Sequence, residues 1–145
     1  MRFFLCPFGD YHLGIPTAAA DSLLVSGRKG AETVEWDDET GDVYYSLPRF
    51  FGFPDLELHH GIVIKDPDNF GERNRKILLV TTVEKIEDIP LEDIQKLPRI
   101  LRNIETSAYF TGIYFNGPVP VLLVDPAHFM RRILNYGILS SLEGE

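Results

Sequence analysis

Four histidines, one cysteine and a scatter of carboxylates are the side chains of this 145-residue chain that could hold a metal or act as a nucleophile. Their spacing supports neither. His59 and His60 are adjacent, and successive side chains on a strand point to opposite faces, so the two cannot chelate one ion together. His12 and His128 are remote from them, and no Cys or carboxylate stands at ligand spacing. Asp66-Pro67-Asp68-Asn69-Phe70-Gly71 opens like a calcium loop, but Phe70 stands where an oxygen ligand is needed. Ile77 then occupies the place of the bidentate Glu. Cys6 lies inside the apolar run from Phe3 to Phe8 without a basic neighbour to lower its pKa, the setting of a packed thiol. Ser22, Ser26 and Ser46 lack a Gly-x-Ser-x-Gly context, and no glycine-rich phosphate loop precedes a helix. Glu35, Asp37, Asp38 and Glu39 read as a solvated acidic loop. The sequence predicts no catalysis, no metal and no cofactor.

Composition narrows the field further. The net charge of −8 and a pI near 4.9 exclude nucleic acid as a partner, because a phosphate backbone needs a basic footprint. The same charge is repelled by an anionic membrane surface. No apolar run approaches the roughly 18–20 residues of a membrane span. Residues Met1 to Phe8 briefly imitate a signal peptide, but Pro7, Gly9 and Asp10 break the run, which reads as a first strand. A length of 145 residues predicts one domain with a substantial core. A single cysteine suits a reducing compartment, so a cytoplasmic location is expected.

The elements that must position any functional surface are mostly strands. Arg2–Phe8 and Tyr11–Thr17 flank Gly9-Asp10 as a hairpin. Ser22–Val25 predicts a short strand, with a turn at Gly27-Arg28-Lys29-Gly30. Thr33–Trp36 and Asp42–Leu47 follow, with Val43 and Tyr45 on one face. Gly61–Lys65 and Lys76–Val80 flank a long polar loop, and Leu91–Leu97 has room for a helix of about two turns between Pro90 and Pro98. The clearest hairpin is Tyr109–Phe115 and Pro118–Val124 around Asn116-Gly117, whose residue types supply positive φ. A terminal helix begins after the N-cap Asp125, with Pro126 in its first position, and stops at Gly137. Aromatics crowd two regions, Tyr44 to Phe53 and Tyr109 to Phe115. Some fill cores, and others are candidates for a protein-binding patch. Many short strands with Gly and Pro turns indicate a barrel or sandwich class.

Several of these segments, in order, resemble the CheW-like domain, the coupling module of bacterial chemotaxis signalling. In Lys76–Leu101, Leu78-Leu79-Val80, Val83, Ile86, Ile89, Ile94 and Pro98 match the family's central run. Val43 to Pro54 is similar to its strand, short helix and Phe-Gly-Leu-Pro passage, and Tyr11 to Pro16 to its Tyr-Gly-Ile-Pro strand. Phe110 to Ile113 and Val121 to Asp125 resemble its ending. The resemblance implies two packed five-stranded SH3-like β-barrels in a single domain, with a short C-terminal helix. It also implies a non-catalytic adaptor that couples the cytoplasmic tip of chemoreceptors to the regulatory domain of a histidine kinase.

By the same resemblance, partner contacts gather around Thr40, Gly41, Val43, Ile62, Ile64, Ile77 and Leu79. Period-2 alternation puts Ile62 with Ile64 on one face and Ile77 with Leu79 on one face, and one of these pairs is expected to line the groove between barrels. The chain departs from the family where Thr40-Gly41 stands in place of an Arg-Gly turn. Ile77 replaces a glycine and Thr81 an aspartate. An alternative role is therefore a paralogue that acts as a spacer or inhibitor in a signalling array without coupling receptors.

Overall fold

Gly9 and Asp10 do turn the chain. Strands β1 (Arg2–Phe8) and β2 (Tyr11–Pro16) pair antiparallel with Phe8 opposite Tyr11, and Gly9 takes a φ of 62°. The computed structural model describes residues 1–29, 32–50, 57–65, 73–97, 110–129 and 131. It divides into two compact units, one from Met1–Ala19 with Val83–Phe129, the other around Ala20–Thr82.

In the first unit β1 also pairs with β8 (Lys85–Asp88), and β2 pairs in parallel with β10 (Val119–Val124). β10 forms a hairpin with β9 (Phe110–Asn116), which completes the five-stranded order β8-β1-β2-β10-β9. Asn116 is the last paired residue of β9, opposite Val119, so the two-residue loop is Gly117-Pro118 and not Asn-Gly. The positive φ of 62° falls on Gly117, and proline fits the second loop position because its ring fixes a negative φ. Phe3, Leu5, Ile89, Val121 and Leu123 form the core, with Ile94 and Tyr114 packed on it. Burying each large aliphatic or aromatic side chain contributes about 1.5–3 kcal/mol.

The segment after β8 is not the helix expected over Leu91–Leu97. It makes a single 3-10 turn at Leu91–Asp93, with the Ile94 N–H donating to the Leu91 carbonyl, and then extends. The reason is tertiary. Gln95 exchanges two backbone hydrogen bonds of 2.9 Å with Ile113, tying the chain that follows β8 onto β9, the strand at the far end of the order. The terminal helix does begin at 126. The Asp125 carboxylate accepts the His128 N–H at 3.3 Å, as an N-cap should, while the expected stop at Gly137 lies outside the described residues.

The second unit is also five-stranded, in the order β3-β6-β7-β5-β4. Its strands are β3 (Ala20–Lys29), β4 (Val34–Trp36), β5 (Val43–Ser46), β6 (Glu57–Ile64) and β7 (Lys76–Val80). β6 and β7 form the expected hairpin, and β5 joins β7 in parallel. The predicted turn at Gly27-Arg28-Lys29-Gly30 gives way to strand as far as Lys29, because pairing with Glu57 and Leu58 carries β3 onward past a register shift. After β5 the Ser46 hydroxyl accepts the Arg49 N–H at 3.3 Å and so caps the short helix α1 (Leu47–Phe50). Leu58, Val63, Ile77 and Leu79 form this unit's core, with Leu24 and Tyr44 against it. Tyr45 is buried, Phe110 and Tyr114 are half-buried, and Phe115 is exposed. Phe51, Phe53 and Tyr109 lie outside the described residues.

Candidate protein-interaction site

The loop between β4 and β5 is the segment that the resemblance singles out, and its construction begins with Asp37. The Asp37 carboxylate accepts the N–H of Glu39 at 3.0 Å and of Thr40 at 3.4 Å, an Asx turn that folds the acidic stretch back on itself. The Asp37 carbonyl accepts the Gly41 N–H at 2.7 Å, and the Asp37 N–H donates to the Asp42 carbonyl at 2.8 Å. Gly41 takes a φ of 76°, where a side chain is strained, and a Cβ there would collide with Asn74 Oδ1. Only glycine fits.

A second segment clamps this loop. The Asn74 N–H donates to the Thr40 carbonyl at 3.1 Å, with Asn74 itself in the left-handed region at a φ of 57°. The Val43 N–H donates to the Arg75 carbonyl at 2.9 Å. Asp42 then receives three hydrogen bonds from Arg75. The backbone N–H reaches Oδ1 at 2.8 Å, while Nε and Nη2 reach Oδ2 at 3.3 and 2.9 Å. The Asp42 side chain is 1% exposed and the Arg75 side chain 18%. Burial pushes the Asp42 carboxyl pKa up, but the Arg75 hydrogen bonds and charge, with the Thr40 hydroxyl, outweigh it, and the net shift is downward. The carboxylate is charged, paired and hidden, so this latch holds a surface turn in place.

The seven anticipated residues all belong to the second unit, on the neighbouring strands β5, β7 and β6 and the loop before β5. Thr40 and Gly41 are half-buried, so they reach the surface. Val43, Ile62, Ile64, Ile77 and Leu79 are buried. The register places Ile77 opposite Val63 and Leu79 opposite Gly61, while Ile62 faces Leu78 and Ile64 faces Lys76. The two isoleucine and leucine pairs therefore lie on opposite faces of the sheet. Sequence reasoning missed Asp42 and Arg75 altogether. The available signal was a pair of opposite charges, each directly preceding an apolar strand, but nothing local says that those two strands pair.

The remaining polar groups are dispersed. His12 Nε2 lies 2.8 Å from a Glu84 carboxylate oxygen, His59 Nε2 lies 3.6 Å from Glu57, and His60 Nδ1 lies 3.3 Å from the Thr82 hydroxyl. Among the described residues no three His, Cys, Asp or Glu side chains converge. The loop from Asp66 to Gly71 lies outside them. Cys6 is fully buried, and burial pushes its thiol pKa up to about 12. No described helix is long and apolar enough to cross a membrane.

Two five-stranded sheets with one parallel pairing in each, and a latched surface turn, describe a mostly β fold. No protein-family model matches the sequence, and no curated protein matches it. Among solved structures, the chain is similar to the scaffolding protein TtCheW from Thermoanaerobacter tengcongensis. The TM-score is 0.60 at 14% identity, over 86% of this chain and 83% of that one. The chain folds as a divergent CheW-like domain.

Proposed function

We propose that this chain is a non-catalytic, cytoplasmic adaptor that couples the chemoreceptor tip to the regulatory domain of a histidine kinase. The observation that supports this reading is the likeness in fold, over most of both chains, to a protein named for scaffolding. A rigid turn on a sheet scaffold suits such a role, because a preorganised contact loses little entropy on binding. In this proposal Thr40 and Gly41 touch the partner. Val43, Ile62, Ile64, Ile77 and Leu79 act beneath the surface, fixing the strands from which the turn projects.

The test is binding of the purified chain to the kinase regulatory domain and to the receptor tip, measured separately. Binding to both supports the coupling role, and binding to one alone keeps the adaptor reading with that partner. Binding to neither rejects the adaptor reading in favour of the spacer or inhibitor role. Thr40→Arg is expected to tighten receptor binding by ~1–3 kcal/mol, the scale of one charge-assisted hydrogen bond. Thr40 is half-buried and its hydroxyl accepts the Asp42 N–H at 3.2 Å, so the same variant is expected to lower stability by about 0.5–1.5 kcal/mol.

A further inference from the structure

The tip of the β9–β10 hairpin brings together two groups that can react with each other. Asn116 ends β9 opposite Val119, and Gly117-Pro118 make the loop. Asn116 is half-buried, while Gly117 is exposed with a φ of 62°. A Cβ at Gly117 would meet nothing within 4 Å, so the turn stands clear of the rest of the described chain. Among the described residues, neither the Asn116 carboxamide nor the Gly117 N–H has a hydrogen-bond partner. The other described asparagine is built differently. The residue after Asn74 is Arg75, whose backbone N–H is held by Asp42 Oδ1 at 2.8 Å and whose side chain adds bulk. Of the five asparagines in the sequence, Asn116 alone precedes a glycine.

We propose that Asn116 is a site of spontaneous covalent modification, where the Gly117 backbone nitrogen attacks the Asn116 carboxamide and converts it, through a cyclic imide, to aspartate and isoaspartate. Solvent hydroxide takes the Gly117 amide proton, and the nitrogen forms a bond to Asn116 Cγ. The Cγ–Nδ2 bond then breaks, and Nδ2 leaves as ammonia with a proton from water. No oxidant or reductant is needed. A water molecule next adds to one of the two imide carbonyls. Breaking the bond from Cγ to the Gly117 nitrogen gives aspartate. Breaking the bond from the main-chain carbonyl carbon gives isoaspartate, whose main chain runs through the former side chain and is one carbon longer. Either product carries a new negative charge. Glycine favours the step because it has no side chain to crowd the attacking nitrogen. The ladder sets the pace. An extended backbone holds the carboxamide carbon away from the next nitrogen, so the Asn116/Val119 pair has to open first. It is the terminal pair of its hairpin, and such pairs open locally at far less cost than the core below. Aspartate restores an Asp-Gly turn of the kind that hairpins favour, whereas the longer isoaspartyl chain cannot re-form the pair in register. This inference does not rest on the adaptor reading.

The test is to hold the intact native chain for weeks in mildly alkaline buffer. It is then followed by ion exchange, by mass mapping of its peptides, and by methyl transfer from an isoaspartate O-methyltransferase. A species with one added negative charge is expected to accumulate, with the change located at Asn116 and isoaspartate in excess over aspartate. Asn116→Ser, checked for a matching melting curve, is expected to lose that species completely. Hydrogen exchange at the Val119 amide is expected to be faster in the isoaspartyl product than in the starting chain. A native chain that stays unmodified overturns the proposal, and conversion of the same chain in denaturant would then show that the paired hairpin prevents the reaction. So does an acidic species that forms equally in Asn116→Ser, or conversion of Asn74 ahead of Asn116. Aspartate without isoaspartate overturns the cyclic route in favour of direct hydrolysis.

Discussion

Replacing Asp42 with asparagine removes one charge from the Asp42–Arg75 latch while nearly preserving shape, and the structure sets the cost. Three hydrogen bonds from Arg75 converge on a carboxylate that is 1% exposed, so little of their strength is lost to solvent. The asparagine oxygen can keep the backbone bond at 2.8 Å, but its amide NH2 would face the guanidinium donors in place of Oδ2. Breaking a fully buried pair costs ~3–5 kcal/mol. The Arg75 side chain, 18% exposed, can turn partly to water, which brings the expected loss to about 2–4 kcal/mol. For a chain of this size that is a fall in Tm of about 6–14 °C, followed by circular dichroism at pH 7. The pH dependence supplies a second readout. The folded carboxyl pKa lies below its unfolded value, so the latch contributes its full stability above the unfolded pKa of about 3.9. That contribution is lost as pH falls through the folded pKa. The difference in Tm between wild type and Asp42→Asn should therefore be constant near neutrality and shrink below about pH 4. A variant melting within about 1 °C of wild type, or a difference unchanged in acid, would refute the account of a charged, buried latch.

Leu79→Asp should abolish cooperative melting and soluble expression, since it puts a charge among Leu58, Val63 and Ile77 at a cost of several kcal/mol; a soluble, cooperatively melting variant would place Leu79 on the wrong face. Gly112→Ala should cost about 1–3 kcal/mol, because its Cβ would sit 2.8 Å from both the Gln95 carbonyl oxygen and Ile94 Cγ2. Hydrogen exchange at the Gln95 and Ile113 amides should accelerate with it, and unchanged protection there counts against the bridge. Cys6 should resist a thiol reagent in the native protein at pH 8 and react at once in denaturant, whereas fast native labelling would contradict its burial.

Features decided by residues close in the chain were legible in the sequence. Gly9-Asp10 announces its hairpin because only a residue tolerant of positive φ can close so tight a loop, and Asp125 announces a helix because its side chain serves an N–H three residues on. Val43 and Tyr45 share a face through strand alternation alone. Likeness to a known domain, read from scattered apolar runs, anticipated five strands in each half. What remained hidden depends on which distant segments meet. Alternation shows that Ile62 and Ile64 lie on one side of their strand and Ile77 and Leu79 on one side of theirs. The register between β6 and β7 is what sets those sides opposite. Leu91–Leu97 has local freedom to be helical, but Gln95 is drawn to Ile113, eighteen residues ahead, and the chain extends to reach it. Asp42 and Arg75 are 33 residues apart, and only the parallel pairing of β5 with β7 brings the two charges together. Periodicity within a strand encodes which way its own side chains point, whereas a strand's partner follows from burying both cores at once.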